Sequence, residues 1–91
     1  KSLKIEIEVR NIEELDEVLR IGGVDRIMLD NFSPELTRKA VQIVAGSVEL
    51  ESSGGITFDT IRSYAETGVD YISVGAITHS VKSLDMSLKA V

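Results

Sequence analysis

The chain has 91 residues and a net charge of −5, from 15 acidic and 10 basic side chains. That balance argues against nucleic acid or an anionic membrane as a partner, and no run of about 18 apolar residues offers a membrane span. A chain this short builds at most one modest core. With no cysteine it has no disulfide framework and no thiolate chemistry, and a cytoplasmic location is expected.

Apolar and polar residues alternate from Leu3 to Val9, which predicts a first strand. Asn11 follows as an N-cap, with Glu14 three residues on completing a capping box. Ile12, Leu15, Val18 and Leu19 then share one helical face up to Gly22-Gly23. A second strand is expected from Arg26 to Leu29. Ser33-Pro34-Glu35 supplies an N-cap, a first-turn proline and a first-turn acid for a second helix ending at Gly46. Val48 to Leu50 is the third strand. Thr57 and Asp59 are expected to open a third helix that stops at Gly68, and Tyr71 to Val74 is the fourth strand. Beyond it, His79 to about Leu88 reads as a helical turn and then an extended tail.

Strand ends recur every 20 to 24 residues, at Val9, Leu29, Leu50 and Val74. Repeats of that length suit βα units in a parallel sheet with right-handed crossovers. Strand parity then divides the side chains between two faces. Ile5, Ile7, Val9, Ile27, Leu29, Val48, Leu50, Ile72 and Val74 fall on one face, which should meet the helices. Lys4, Glu6, Glu8, Arg26, Met28, Asp30, Glu49, Glu51, Tyr71, Ser73 and Gly75 fall on the other. So polar a face is unusual in a parallel sheet. Either it lies bare to water, or it lines the interior of a barrel shaped for a charged ligand.

Two glycine turns follow strands: Glu51-Ser52-Ser53-Gly54-Gly55-Ile56-Thr57 and Val74-Gly75-Ala76-Ile77-Thr78-His79-Ser80. Glycine lets backbone N–H groups approach an oxyanion, and a helix N-terminus behind the first turn would add positive potential. Such turns suggest the phosphate site of a (βα)-barrel enzyme. Glu8, Asp30 and Glu51 stand at or just past successive strand ends, where ligands bind in such folds. Carboxylates gathered there repel one another unless a cation or a hydroxyl-rich ligand lies among them. Oxygen ligands of this kind suit Mg²⁺. Tyr64, Tyr71 and Met28 read as packing residues, and Glu6 and Glu49 lie deeper than the site.

These motifs, together with Ile27-Met28-Leu29-Asp30-Asn31-Phe32, Glu6-Ile7-Glu8-Val9 and Tyr64-Ala65-Glu66-Thr67-Gly68-Val69-Asp70-Tyr71-Ile72-Ser73, resemble the quinolinate phosphoribosyltransferase family over essentially the whole chain. The resemblance implies the C-terminal portion of an incomplete TIM-like α/β barrel, made of about four parallel βα units. Residues 1–91 would be a partial barrel domain, with an N-terminal sandwich domain and the first barrel strands lying outside them. It implies a pentosyltransferase that converts quinolinate and phosphoribosyl pyrophosphate to nicotinate mononucleotide, pyrophosphate and CO₂ in NAD biosynthesis. Mg²⁺ would be the cofactor and the full enzyme a homodimer or hexamer. Matched residue by residue, Glu8 and Asp30 correspond to the family's acidic pair at the ribose and the metal. Ser53, Gly54, Gly75 and His79 correspond to its 5′-phosphate site, and Glu51, Gly55 and Ala76 are possible additions. The family's quinolinate-binding Arg, Lys and His residues have no counterpart here, so these residues alone are expected to be inactive. A related pyrophosphorylase with another base substrate, or a non-catalytic half-barrel assembly unit, are the alternatives.

Overall fold

The computed structural model describes residues 4–84. Five strands form one sheet in sequential order: β1 (Glu6–Val9), β2 (Arg26–Asp30), β3 (Glu49–Ser53), β4 (Tyr71–Val74) and β5 (Ile77–Ser80). β1 to β4 are parallel to their neighbours, and β5 returns antiparallel to β4. Helices α1 (Ile12–Ile21), α2 (Pro34–Val44) and α3 (Ile61–Ala65) bridge successive parallel strands. When every crossover steps to the next strand with the same hand, the helices collect on one face of the sheet. A short 3₁₀ turn, Val81–Ser83, ends the described chain. The expected start of the first strand at Leu3 and the tail toward Leu88 lie outside the described residues.

The caps form as the sequence predicts. Asn11 Oδ1 accepts the Glu14 N–H at 2.8 Å, while Glu14 Oε1 accepts the Arg10 N–H at 2.7 Å, one residue outside a strict capping box. Ser33 Oγ accepts the Leu36 N–H at 3.1 Å, with Pro34 at the first helical position. α2 ends at Val44, and its C-cap Ala45, one residue before Gly46, is left-handed with φ 52°.

The core lies between the sheet and the helices. Val9, Leu29 and Ile72 share one row of the sheet with Ser52, and Ile27 pairs with Leu50 in the row beneath. All are buried, against Leu15, Phe32, Ala40, Val44, Ile56 and Val69. Ser52 is the exception to the apolar pattern: its hydroxyl is buried without a hydrogen-bond partner among the described residues.

Two aspartates fix the strands at their N-terminal ends. Asp25 donates its N–H to Ile5 O at 2.9 Å, and its Oδ2 accepts the Ile5 N–H at 2.7 Å. Asp70 does the same to Leu50, at 3.0 and 2.9 Å. Both stand in a Gly-Val-Asp triplet, at 23–25 and 68–70. The repeated triplet is thus a repeated clasp between adjacent parallel strands.

Two expectations are corrected. The first glycine turn does not open a helix directly. Thr60 Oγ1 accepts the Thr57 N–H at 3.0 Å and the Thr60 N–H bonds Thr57 O at 3.1 Å, so a turn precedes α3, which is only five residues long. The second glycine turn opens no helix either. Val74 pairs with Ile77 across Gly75-Ala76, making a two-residue β-hairpin. Gly75 has φ 63° while Ala76 does not enter the positive-φ region, the pattern of a type II′ turn. Only three of the four expected units are therefore βα units; the fourth is a hairpin.

Candidate functional site

The uncovered face of the sheet carries the polar rows read from parity. Glu6, Arg26 and Glu49 lie in register, then Glu8, Met28, Glu51 and Tyr71, then Asp30 and Ser53. The last row stands at the C-terminal ends of β2 and β3. Beyond it the chain turns sharply twice. Asn31 takes φ 65° and donates its N–H to Ser53 O at 2.9 Å. Gly54 takes φ 92°, and a Cβ there would lie 2.9 Å from Asn31 N and 3.1 Å from Asp30 Oδ1. Glycine is therefore required on two counts: the backbone angle and the contact with the Asp30-Asn31 segment. That segment is held from behind as well. Phe32 is buried, and Tyr64 on α3 donates its hydroxyl to Phe32 O at 2.7 Å. Tyr64 packs as expected, but its hydroxyl also fixes the loop that presents Asp30, which the sequence did not reveal.

The β3–β4 ladder ends at Ser52 and Ile72, so Ser53, Gly54 and the Gly75-Ala76 turn all lie toward the C-terminal ends of these neighbouring strands. The structure thus brings Asp30, Ser53, Gly54 and Gly75 to one edge of the sheet, with Gly55 and Ala76 exposed on the two loops. Glu8, also exposed, shares their face on β1, in the row below Asp30. His79 stands apart from this group. It is on β5, paired with Ile72, and so shares parity with the core side rather than with Ser53. The expectation of His79 at a helix start is corrected, because the hairpin carries it back down the sheet.

Glu51 is only 3% exposed, although none of the described helices covers its face. Its Oε2 accepts the Ser73 hydroxyl at 2.6 Å, and Arg26 Nη1 stands 3.5 Å from Oε1. Arg26 also bonds Glu49 Oε1 at 3.2 Å and lies 3.7 Å from the centre of the Tyr71 ring. Tyr71 is therefore a platform for a cation as well as a packing residue. Burial alone would lower the basicity of Arg26, but the Glu49 hydrogen bond, with Tyr71, Glu49 and Glu51 around it, more than offsets this and raises it. Glu6 is pushed above the usual carboxylate range by burial, then by the charge and hydrogen bond of Glu51, against the opposing pull of Arg26.

Among the described residues no group of three or more His, Asp or Glu side chains is close enough to encage a metal. Mg²⁺ does not demand such a cage. It commonly takes one or two carboxylates and fills its shell with water and phosphate oxygens. Glu8 and Asp30, separate but on one face, fit that mode. Among the described residues no helix is long and apolar enough to cross a membrane.

Comparison with known proteins follows the same lines. The family described as quinolinate phosphoribosyl transferase, C-terminal domain, matches residues 1–89. A probable nicotinate-nucleotide pyrophosphorylase (carboxylating) of Methanocaldococcus jannaschii is 50% identical over 95 residues, covering 97% of this chain and 33% of that protein. A chloroplastic protein of that name from Oryza sativa subsp. japonica is 40% identical over 102 residues, covering 97% and 28%. The crystal structure of nicotinate-nucleotide pyrophosphorylase from Ehrlichia chaffeensis superposes with a TM-score of 0.75 at 47% identity, covering 82% of this chain and 27% of that one. The chain thus spans about a third or less of the length of these relatives.

Proposed function

We propose, from the premise that this chain belongs to the quinolinate phosphoribosyl transferase C-terminal domain family, that it supplies the 5′-phosphate and ribose end of a phosphoribosyl transfer site. The full protein converts quinolinate and phosphoribosyl pyrophosphate to nicotinate mononucleotide, pyrophosphate and CO₂, a step toward NAD. The sheet belongs to an incomplete α/β barrel whose interior is the polar face. The observation that carries this reading is the contact of Gly54 with Asp30 and Asn31. It sets a glycine loop, whose N–H groups suit a phosphate, against a carboxylate suited to ribose hydroxyls.

Each residue then has a chemical task. Ser53 and the backbone of Gly54 and Gly75 hold the 5′-phosphate. Because α3 is short and set back from the loop, the loop's own N–H groups do this without a helix dipole. As pyrophosphate leaves, positive charge grows on the ribose ring. Asp30 and Glu8 lie on the side of the sheet where that charge develops, and a fixed carboxylate needs no reorganisation to stabilise it. Binding both partners in one orientation supplies much of the remaining acceleration. Glu8 and Asp30 would hold Mg²⁺, directly or through water, and the ion would neutralise the departing pyrophosphate. No covalent nucleophile is required.

The test uses the full-length protein with quinolinate, phosphoribosyl pyrophosphate and Mg²⁺, with nicotinate mononucleotide as the readout. Asp30→Asn is expected to cut kcat/KM by at least a hundredfold, equivalent to about 2.7 kcal/mol of transition-state stabilisation. Wild-type protein that forms no mononucleotide, or an Asp30→Asn variant that works normally, refutes the reading.

A further inference from the structure

We infer that Glu51, Ser73 and Thr78 form a positioning relay that holds the Gly75-Ala76 hairpin against the end of β3, so that Glu51 orders the phosphate loops rather than touching substrate. This rests on the functional reading above and assigns a role to a residue whose position alone suggested a ligand.

The geometry fixes the direction of the relay. Ser73 Oγ lies 2.6 Å from Glu51 Oε2 and 2.7 Å from Thr78 Oγ1. A hydroxyl has one proton to give. Ser73 donates it to the carboxylate, so Thr78 must be the donor to Ser73. The three groups connect β3, β4 and β5 in order. Ser73 stands two residues before Gly75 and Thr78 two after Ala76, so the relay joins both arms of the hairpin below its turn. Glu51 stands two residues before Ser53. One chain of bonds therefore spans the roots of both glycine loops.

The surroundings of Glu51 suit a fixed anchor. The carboxylate is almost fully buried, and Arg26 holds its other oxygen. Arg26 is itself fixed by Glu49 and stacked on Tyr71. One oxygen is bonded to Ser73 and the other faces Arg26, and at 3% exposure Glu51 offers a ligand little surface. Supporting groups of this kind keep contacting residues in a productive geometry.

Steady-state kinetics of the full-length protein test the relay, with each substrate varied in turn. Thr78→Val, which keeps the shape and removes the donor, should raise KM for phosphoribosyl pyrophosphate about tenfold. Its kcat should stay within about twofold and its KM for quinolinate should not change. Thr78→Ser, which restores the hydroxyl, should return KM to near the wild-type value. Glu51→Gln should raise the same KM, and the double variant should be no worse than the more severe single variant, because both break one chain. A normal KM in Thr78→Val overturns the inference. So do equal losses in Thr78→Val and Thr78→Ser, or losses that multiply in the double variant, as they would if Glu51 met substrate independently. Wild-type protein without turnover would instead refute the functional reading, and this inference with it.

Discussion

Gly54→Ala offers a sharp test of how the site is built. Two costs are separable. At φ 92° an L-residue is strained, and leaving the glycine region costs of order 1–2 kcal/mol. The new methyl would also stand 2.9 Å from Asn31 N and 3.1 Å from Asp30 Oδ1. Asn31 N is backbone, already donating to Ser53 O at 2.9 Å, so it cannot move aside without loosening that bond. Overpacking of this kind adds about 1–3 kcal/mol. The sum is about 2–5 kcal/mol. Gly55→Ala is the control: its φ is 71°, but a Cβ there meets nothing within 4 Å, so only the first cost applies. Urea unfolding of the two full-length variants should therefore differ by about 1–3 kcal/mol, the overpacking contribution alone. Because the clash falls on Asp30 and Asn31, Gly54→Ala should also lose most turnover, beyond what Gly55→Ala loses. Equal stability in the two variants would show that the loop does not press on the acid, and the central geometric argument would fail.

Further outcomes follow from the clasps and from the polar face. Asp70→Ala strips the carboxylate from the N–H of Leu50, a residue 2% exposed, and should cost about 1–3 kcal/mol by thermal or urea unfolding. Asp25→Ala does the same to Ile5, which is 51% exposed and can be rehydrated, so its cost should be smaller; the reverse order would refute the clasp argument. Glu6→Gln should raise the melting temperature at pH 7. The carboxyl of Glu6 is raised above its ordinary 4.5, so the folded state binds its proton more tightly than the unfolded state. Its cost is complete above the raised value and vanishes as pH falls below 4.5, so the gain from Gln should fade over that window. A difference between Glu6→Gln and wild type that does not change with pH would show that titration of Glu6 is not its source.

Local chemistry made much of this fold legible. Asn11 and Ser33 cap the helices they were expected to cap, because an N-cap depends on residues within three positions. Strand parity separated core from polar face for the same reason: it needs only alternation. The hairpin was not legible. Val-Gly-Ala-Ile-Thr serves equally as a strand followed by a helix start or as a type II′ turn, and the choice is made by pairing of β5 with β4. His79 moved with it. Pairing across strands also hid the environment of Glu51, since Arg26, Ser73 and Tyr71 lie about 20 or more residues away in sequence. The Gly-Val-Asp repeat at 23–25 and 68–70 also goes unread in the sequence, because only the shared clasp gives it meaning.

The polar face left two readings open, a bare surface or a barrel interior, and the proposed function takes the second. Within the strands, Glu6, Glu8, Asp30, Glu49 and Glu51 share that face with a single cation, Arg26. A surface meant for water has no reason to bury a carboxylate to 3% exposure, since an unpaired buried charge is costly and an exposed one is hydrated freely. Here burial is compensated: Arg26, Ser73 and the Tyr71 platform enclose Glu51. Among the described residues, ion pairs join Arg20 to Glu17 and Arg26 to Glu49 and Glu51; none of these involves Glu8, in the same row as Glu51, or Asp30, one row nearer the strand ends. Arg26 thus serves the carboxylates of β3, Glu49 and Glu51. In the proposed function, developing positive charge on a ribose ring would suit Glu8 and Asp30, and the backbone N–H groups of the glycine loops, rather than the carboxylate face, would suit the anionic 5′-phosphate.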